Sequence, residues 1–369
     1  MSGEVRVLLD ATAIPADRGG VGRYVDGLVS QLGAEAVVVC QSRDAELFAR
    51  MAPEATIVPA SPRIASTAMR LLWEQFALPR VARRSGVDVI HSPHYTVPLL
   101  TRLPRVVTFH DATFFSDPGV HTRLKRAFFR AWMWLSSRLA RRIVVPSAAT
   151  ARETTRYCPR ADGKLVVAHH GFDSGTFRAP TPAEVERFRA EQGVDGGWIA
   201  FLGTLEPRKN LPALVEAHRL LRGSRPDVPR LLIAGARGWE HDPLTDGEDG
   251  PRLLGFLPLE SLPAFLGGAE IVCYPSLGEG FGLPVLEAMA CGAPVLTTPR
   301  LALPEVGGDA VAYTEPDAAS IAAALGALLD DPARRHALRE AGPARAAGFT
   351  WAASAARHRD AYREAVPRD

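Results

Sequence analysis

Ala269-Glu270-Ile271-Val272-Cys273-Tyr274-Pro275-Ser276-Leu277-Gly278-Glu279-Gly280-Phe281-Gly282-Leu283-Pro284-Val285-Leu286-Glu287-Ala288-Met289-Ala290-Cys291-Gly292-Ala293-Pro294-Val295-Leu296-Thr297 is the most informative stretch of this chain. It opens on a short apolar run, passes through a glycine-rich loop into good helix formers, and closes on a second apolar run. Two such runs around a helix read as a βαβ unit with parallel strands. The glycines bring bare backbone close to whatever lies above the first strand. Pro284 suits the first turn of a helix, and the amides of such a turn can hold a phosphate.

The same grammar extends outward in both directions. Toward the C-terminus of the chain, Ala310–Tyr313 repeats the strand pattern; toward the N-terminus, Arg252–Leu254, Arg230–Ala234 and Trp198–Gly203 do so. An earlier series comprises Val5–Leu9, Ala36–Cys40, Val87–His91, Val106–His110, Arg142–Val145 and Leu165–Ala168. Strands that alternate with helical patterns predict two α/β halves, each with a parallel sheet. The pattern places one half at residues 1–178 and the other at 179–350, with Pro180 and Pro182 just after the join. Thr350 is a candidate N-cap for a closing helix over 351–369, expected to pack back on the first half. Parallel sheets bind ligands beyond the carboxyl ends of their strands, so a cleft between the halves is the expected site.

Composition narrows the class. At 369 residues, 47% hydrophobic and 23% charged, the chain is globular and long enough for two cores. A net charge of +2 gives no global field for nucleic acid, which is excluded as a partner. Only three of the 43 basic residues are lysine: Lys125, Lys164 and Lys209. The four cysteines are far apart and form no ligand cluster, which argues against structural zinc and a disulfide framework. Met1–Asp10 lacks the pattern of a signal peptide, and no run approaches ~18 apolar residues. The expectation is a cytoplasmic protein.

Several residues carry candidate chemistry. Glu279 and Glu287 could each accept hydrogen bonds from vicinal hydroxyls, at the sugar and ribose ends of one ligand; the alternative is a loop charge and a helix-dipole partner. Arg208 and Lys209 follow the strand ending at Gly203 and could neutralise a departing diphosphate. Gly19-Gly20-Val21-Gly22 opens a helix containing Arg23 and Tyr24, but Val25 stands where a dinucleotide-binding fingerprint has its third glycine, against a nicotinamide enzyme. His110 and Asp111 end one strand; His91 ends another, with His94 just beyond. No spacing among these histidines supports a metal triad and no D-x-D site is evident, so catalysis without a metal or cofactor is expected. From His121 to Arg142, seven Arg and Lys residues interleave with aromatics and no acid. That helix, 121–142, either meets an anionic membrane or a phosphorylated lipid, or turns its aromatics to the core.

Taken in order, these fragments resemble glycosyltransferase family 4. The resemblance rests on the E-x7-E pair Glu279 and Glu287, Gly19 to Tyr24, His110-Asp111, Gly203-Thr204-Leu205-Glu206-Pro207-Arg208-Lys209-Asn210, and Leu254-Gly255-Phe256 followed by Pro275-Ser276. It implies a GT-B fold, with two Rossmann-like α/β domains facing a cleft, an acceptor-side domain first and a nucleotide-sugar domain second. It implies a retaining glycosyltransferase that moves a hexose from a nucleoside diphosphate sugar to a carbohydrate or glycolipid hydroxyl. His110, Glu279, Arg208 and Lys209 would be catalytic. Gly20, Gly203, Gly280, Phe281, Gly282, Leu283 and Glu287 would join Arg208 and Lys209 in binding the donor, with Glu279 on the sugar and Glu287 on the ribose. Arg23, Tyr24, His91, His94 and Asp111 would lie on the acceptor side. The segment Trp73-Glu74-Gln75 together with Gly19 to Tyr24 looks like mannosyltransferases, making GDP-mannose the first choice of donor and UDP-glucose the next. A sugar-nucleotide epimerase and a non-catalytic sugar-nucleotide sensor are the competing classes.

Overall fold

The computed structural model of the chain describes residues 4–367 apart from 17, 117–118, 120–121, 226 and 236–249. The chain divides into two compact units, one of Met1–Gly171 with Thr350–Asp369 and one of Phe172–Phe349. The division falls a few residues ahead of the 178 expected from the sequence pattern.

The first unit is built on β1 (Val7–Asp10), β2 (Ala36–Gln41), β3 (Thr56–Ala60), β4 (Val89–Ser92), β5 (Arg105–Thr108), β6 (Arg142–Val145) and β7 (Leu165–Val167). All pair in parallel, in the spatial order β3-β2-β1-β4-β5-β6-β7. Val7, Leu8 and Leu9, and Val37, Val38 and Val39, are buried on both faces of the sheet, which is why these strands read as continuous apolar runs. Strand β3 was not legible in the sequence. It contains Pro59, lies at the edge, and leaves Thr56 and Pro59 exposed, so it lacks the pattern of its neighbours.

Helix Trp351–Ala365 completes this unit. Thr350 caps it by accepting from the Ala353 amide at 3.1 Å. Ala355, Ala361, Tyr362 and Ala365 enter the same apolar cluster as Val7 and Leu9. Helix Gly19–Val29 passes so close that a Cβ on Gly27 would lie 2.1 Å from the Trp351 ring. Only glycine fits there.

The second unit carries β8 (Trp198–Leu202), β9 (Arg230–Ala234), β10 (Arg252–Gly255), β11 (Ile271–Tyr274), β12 (Val295–Thr297) and β13 (Ala312–Tyr313). They too are parallel, in the order β10-β9-β8-β11-β12-β13. The order in which successive strands are added across the sheet therefore reverses between β8 and β11 here, and between β1 and β4 in the first unit. In doubly wound sheets, ligand sites lie at the carboxyl ends of strands flanking such a switch point.

Candidate active site

In the second unit the switch point is occupied by charge. Residues Pro207–Lys209 form a short 3-10 turn after β8, and Asn210 ends it in the left-handed region with φ 59°. Asn210 fixes the turn by donating through Nδ2 to the carbonyls of Pro275 at 3.2 Å and Pro316 at 2.7 Å. The Leu277 amide donates to the Arg208 carbonyl at 2.8 Å, so the segments after β8 and β11 are laced together.

Glu279 is the hub of the site. Its Oε1 accepts from Lys209 Nζ at 2.6 Å, Tyr274 OH at 2.9 Å and Ser276 Oγ at 2.8 Å, while Oε2 accepts from Arg208 Nη1 at 2.6 Å. Arg208 Nε also donates to Glu206 at 2.9 Å. Lys209 and Glu279 are both buried, at 6% and 7% exposure. Burial opposes ionisation of Glu279, but Arg208 and Lys209 outweigh it and hold the carboxyl well below its usual range. Burial and the adjacent Arg208 lower Lys209 to about 8, so at neutral pH it stays an ammonium. Burial pushes the Tyr274 phenol well up, keeping it a neutral donor. The result is two fixed cations and an ionised carboxylate at one strand edge.

The loop between β11 and helix Leu283–Ala290 supplies backbone. Gly282 stands before the helix at φ 107°, a conformation closed to other residues, and Pro284 follows in the first turn as expected. Glu287 is 2% exposed within that helix. Phe281 and Leu283 are buried apolar residues, and the Phe281 ring meets Phe349 edge-on at 5.8 Å, so their side chains belong to the core and only their backbone is at hand for a ligand. Gly280 is half-buried in the same loop. Gly203 directly follows β8; a Cβ on Gly235, which packs against it, would sit 2.0 Å from the Gly203 carbonyl oxygen, which leaves bare backbone at this edge.

The first unit holds a cavity of about 540 Å³ at its own switch point, lined among others by Thr12, Gly20, Arg43, Arg70, His94 and His110. Gly20 is exposed near the start of helix Gly19–Val29. His110 donates from Nε2 to the Pro93 carbonyl at 2.9 Å, and burial lowers its pKa, so it is neutral. His94 Nε2 lies 3.6 Å from Asp10 Oδ2, 3.5 Å from Glu74 Oε2 and 3.2 Å from Arg70 Nη1. Arg70 in turn donates to Glu74 at 2.9 Å, as does Thr96 at 2.8 Å. Asp10 Oδ2 and His94 Nδ1 have no hydrogen-bond partner among the described residues.

Asp10, Glu74 and His94 are of metal-ligand type and their ligand atoms lie within 4.8 Å of one another. Histidine spacing in the sequence gave no sign of this, because three separate segments converge. The Arg70 guanidinium already stands among them as the compensating cation.

Other acceptor-side candidates do not reach this cavity. Tyr24 is fully buried, bonded to His358 Nε2 at 2.7 Å and Thr108 Oγ1 at 2.9 Å. His91 is also fully buried, between Thr108 Oγ1 at 2.8 Å and Tyr362 OH at 2.9 Å. His358 Nδ1 donates to the Ser354 carbonyl at 2.7 Å, so its Nε2 must accept from Tyr24. These groups form an internal hydrogen-bonded chain that fastens helix Trp351–Ala365. Asp111 accepts from the Thr113 amide at 3.0 Å and hydroxyl at 2.7 Å, starting the turn into a short helix. Arg23 is half-buried on helix Gly19–Val29.

The basic aromatic stretch is helix Arg123–Leu139; His121 lies outside the described residues. Phe129, Trp132 and Leu139 pack beside the buried Met133 in an internal cluster, and the Arg138 guanidinium covers Trp134 at 4.1 Å. Phe128 and Phe129 are half-buried and also line the cavity of the first unit, while Trp134 stays 50% exposed.

Sequence comparisons agree with this architecture. Residues 184–345 match the family described as glycosyl transferases group 1, and residues 18–175 match glycosyltransferase family 4. The chain is 34% identical to the O-antigen chain mannosyltransferase B of Escherichia coli over 71% of each chain. It is 32% identical to a D-inositol 3-phosphate glycosyltransferase of Pseudarthrobacter chlorophenolicus, across 62% of this chain and 57% of that one. Among solved structures, Anabaena HepE in complex with UDP superposes with a TM-score of 0.76 at 18% identity, covering 96% of this chain and 99% of that one. WaaG, a glycosyltransferase involved in lipopolysaccharide biosynthesis, gives 0.71 at 15% identity, covering 96% and 98%. Two parallel α/β units, charged residues at the switch point of the second, and these matches make the chain a member of glycosyltransferase family 4 with the GT-B fold.

Proposed function

We propose that this glycosyltransferase is a retaining hexosyltransferase that uses a nucleoside diphosphate sugar, with mannose from GDP-mannose as the donor. The observation that carries the reading is the buried group in which Glu279 holds Arg208 and Lys209 at the carboxyl edge of β8. Two preorganised cations suit the charge that develops on a departing diphosphate, and in a buried setting they act without reorganising. Amides at the start of helix Leu283–Ala290 add to that field. Glu279 Oε2, which accepts from Arg208, retains capacity for a sugar hydroxyl, and Glu287 lies further along for the ribose.

In this reading the bond from the anomeric carbon to the diphosphate breaks as the acceptor hydroxyl attacks the same face, and the acceptor proton passes to the leaving phosphate. Arg208 and Lys209 take the charge role that a divalent metal would otherwise fill, so no metal or cofactor is required. The acceptor hydroxyl belongs in the cavity of the first unit, where Arg70, His94 and His110 line the wall. Identity to the Escherichia coli mannosyltransferase supports mannose. The solved relative with UDP and glucose favours UDP-glucose as the second reading.

Thermal unfolding against GDP, UDP, ADP and their sugar conjugates, with and without EDTA, separates these. Ligand at 100 times its dissociation constant stabilises by about 2.7 kcal/mol. A shift with GDP and GDP-mannose that survives EDTA supports the proposal. A UDP-selective shift replaces the donor, an EDTA-sensitive shift removes metal independence, and no shift with any nucleotide overturns the site.

A further inference from the structure

Helix Thr67–Phe76 is built inside out. Its charged residues Arg70 and Glu74 are buried, at 9% and 0% exposure, while Met69, Leu72 and Phe76 stand 46%, 53% and 53% exposed. The spacing 69, 72, 76 puts those three on one stripe. The inner face has an evident use, since Ser66, Thr67 and Arg70 line the cavity of the first unit. The outer face has no counterpart among the described residues. Leu99 and Leu100, 40% and 60% exposed, extend it, because the Leu99 amide donates to Gln75 of the same helix at 2.8 Å. A contiguous exposed apolar patch marks a contact surface.

Charge around the patch indicates what it contacts. Residues 61–105 contain seven arginines and two acids. Glu74 is buried against Arg70, and Asp88 accepts from the Arg6 amide. Arg63, Arg80, Arg83, Arg84 and Arg102 are exposed, and the Arg80 guanidinium donates to the Phe76 carbonyl at the end of the helix. A second copy of the chain docked face to face would bring arginines against arginines. An anionic lipid surface accepts both the apolar stripe and its basic rim.

We propose that the 67–76 helix, with Leu99 and Leu100, docks this protein on an anionic membrane surface. This relocates the membrane contact from the basic aromatic helix, whose exposed Leu124 and Trp134 stand about three turns apart. One face of the docking helix touches lipid headgroups and acyl chains while the other lines the cavity, so a lipid-linked acceptor reaches the cavity along the membrane plane. That last consequence rests on the transferase reading; the docking does not.

The test is co-sedimentation of the full chain with vesicles of phosphatidylcholine alone, or of equal parts phosphatidylcholine and phosphatidylglycerol, without donor or acceptor. The native protein is expected to bind only the anionic vesicles and to be released by salt. Met69→Ser/Leu72→Ser/Phe76→Ser is expected to lose on the order of 100-fold in partitioning, as three apolar side chains no longer insert. These residues are exposed, so circular dichroism and the nucleotide-induced thermal shift should match the native protein. Arg80→Gln/Arg83→Gln/Arg84→Gln should weaken binding and flatten its salt dependence. Equal binding by the triple serine variant overturns the proposal, as does failure of the native chain to bind anionic vesicles. A dimer that the serine substitutions dissolve, with no vesicle binding, would identify a second copy as the occupant and equally overturn it. Because the nucleotide-induced shift is read separately, failure of docking and failure of the donor site are told apart.

Discussion

Acid should loosen the first unit through His358, by an amount that follows from its burial. Burial lowers this imidazole from the ordinary 6.5 to about 4. It is neutral in the folded chain, with Nδ1–H on the Ser354 carbonyl and Nε2 accepting from Tyr24. The unfolded chain takes up a proton near 6.5, so below that pH the unfolded state binds more protons and stability falls with pH. The contribution is complete above 6.5 and is lost as pH drops toward 4. At 1.36 kcal/mol per unit the full loss is about 3 kcal/mol, and about 2 kcal/mol of it is gone by about pH 5. His91 and His170 are also held well below 6.5 by burial and add loss of the same sign. The assay is urea unfolding of the native chain and of His358→Gln at about pH 7.5 and pH 5. The variant loses the titrating group, so its stability should change less between the two pH values, by about 2 kcal/mol. An identical pH dependence in both proteins would refute a neutral, buried His358.

Three further predictions concern other parts of the molecule. Lys209→Met should lower transfer by roughly 100- to 1,000-fold, the range for loss of a preorganised charge-stabilising group, with secondary structure retained by circular dichroism; near-native kcat would remove Lys209 from the reaction. Because Lys209 deprotonates near 8, kcat/KM for the donor should decline above that pH, and a profile flat to about pH 9 would count against it. Gly27→Ala drives a methyl into the Trp351 ring and should cost roughly 1–3 kcal/mol of stability in denaturant unfolding, an expectation that an unchanged midpoint would contradict.

Sequence reading reached the second unit's site more fully than the first unit's. Glu279, Arg208 and Lys209 were legible because each sits in a glycine- or proline-punctuated turn directly after an apolar strand, where parallel sheets deliver side chains. Tyr274 and Ser276, which complete the hydrogen bonding of Glu279, were hidden: one reads as the last residue of a strand and the other as a turn residue. In the first unit, histidines at strand ends looked alike. Only the packed structure separates His94 and His110, which line the cavity, from His91, whose hydrogen bonds to Thr108 and Tyr362 keep it in the core. Tyr24 was misleading for the same reason, since its partner His358 is 334 residues away. Asp10, Arg70 and Glu74 carried no local signal, as a buried Arg/Glu pair one turn apart resembles an ordinary surface pair until the helix orientation is known. Strand β3 escaped because an edge strand with a proline lacks the apolar run that revealed the other twelve.

The first unit is discontinuous in sequence, with Phe172–Phe349 interposed between its two segments, and this sets an order of events during synthesis. The second unit can close its core as soon as it leaves the ribosome, although it is made later. The first unit waits, with Val7 and Leu9 lacking the residues of helix Trp351–Ala365 that cover their cluster. At roughly 5–20 residues per second, the intervening segment takes on the order of 10–40 s to translate. For that interval the nascent chain displays an unfinished apolar surface, and the arrival of the 351–365 helix is what covers it.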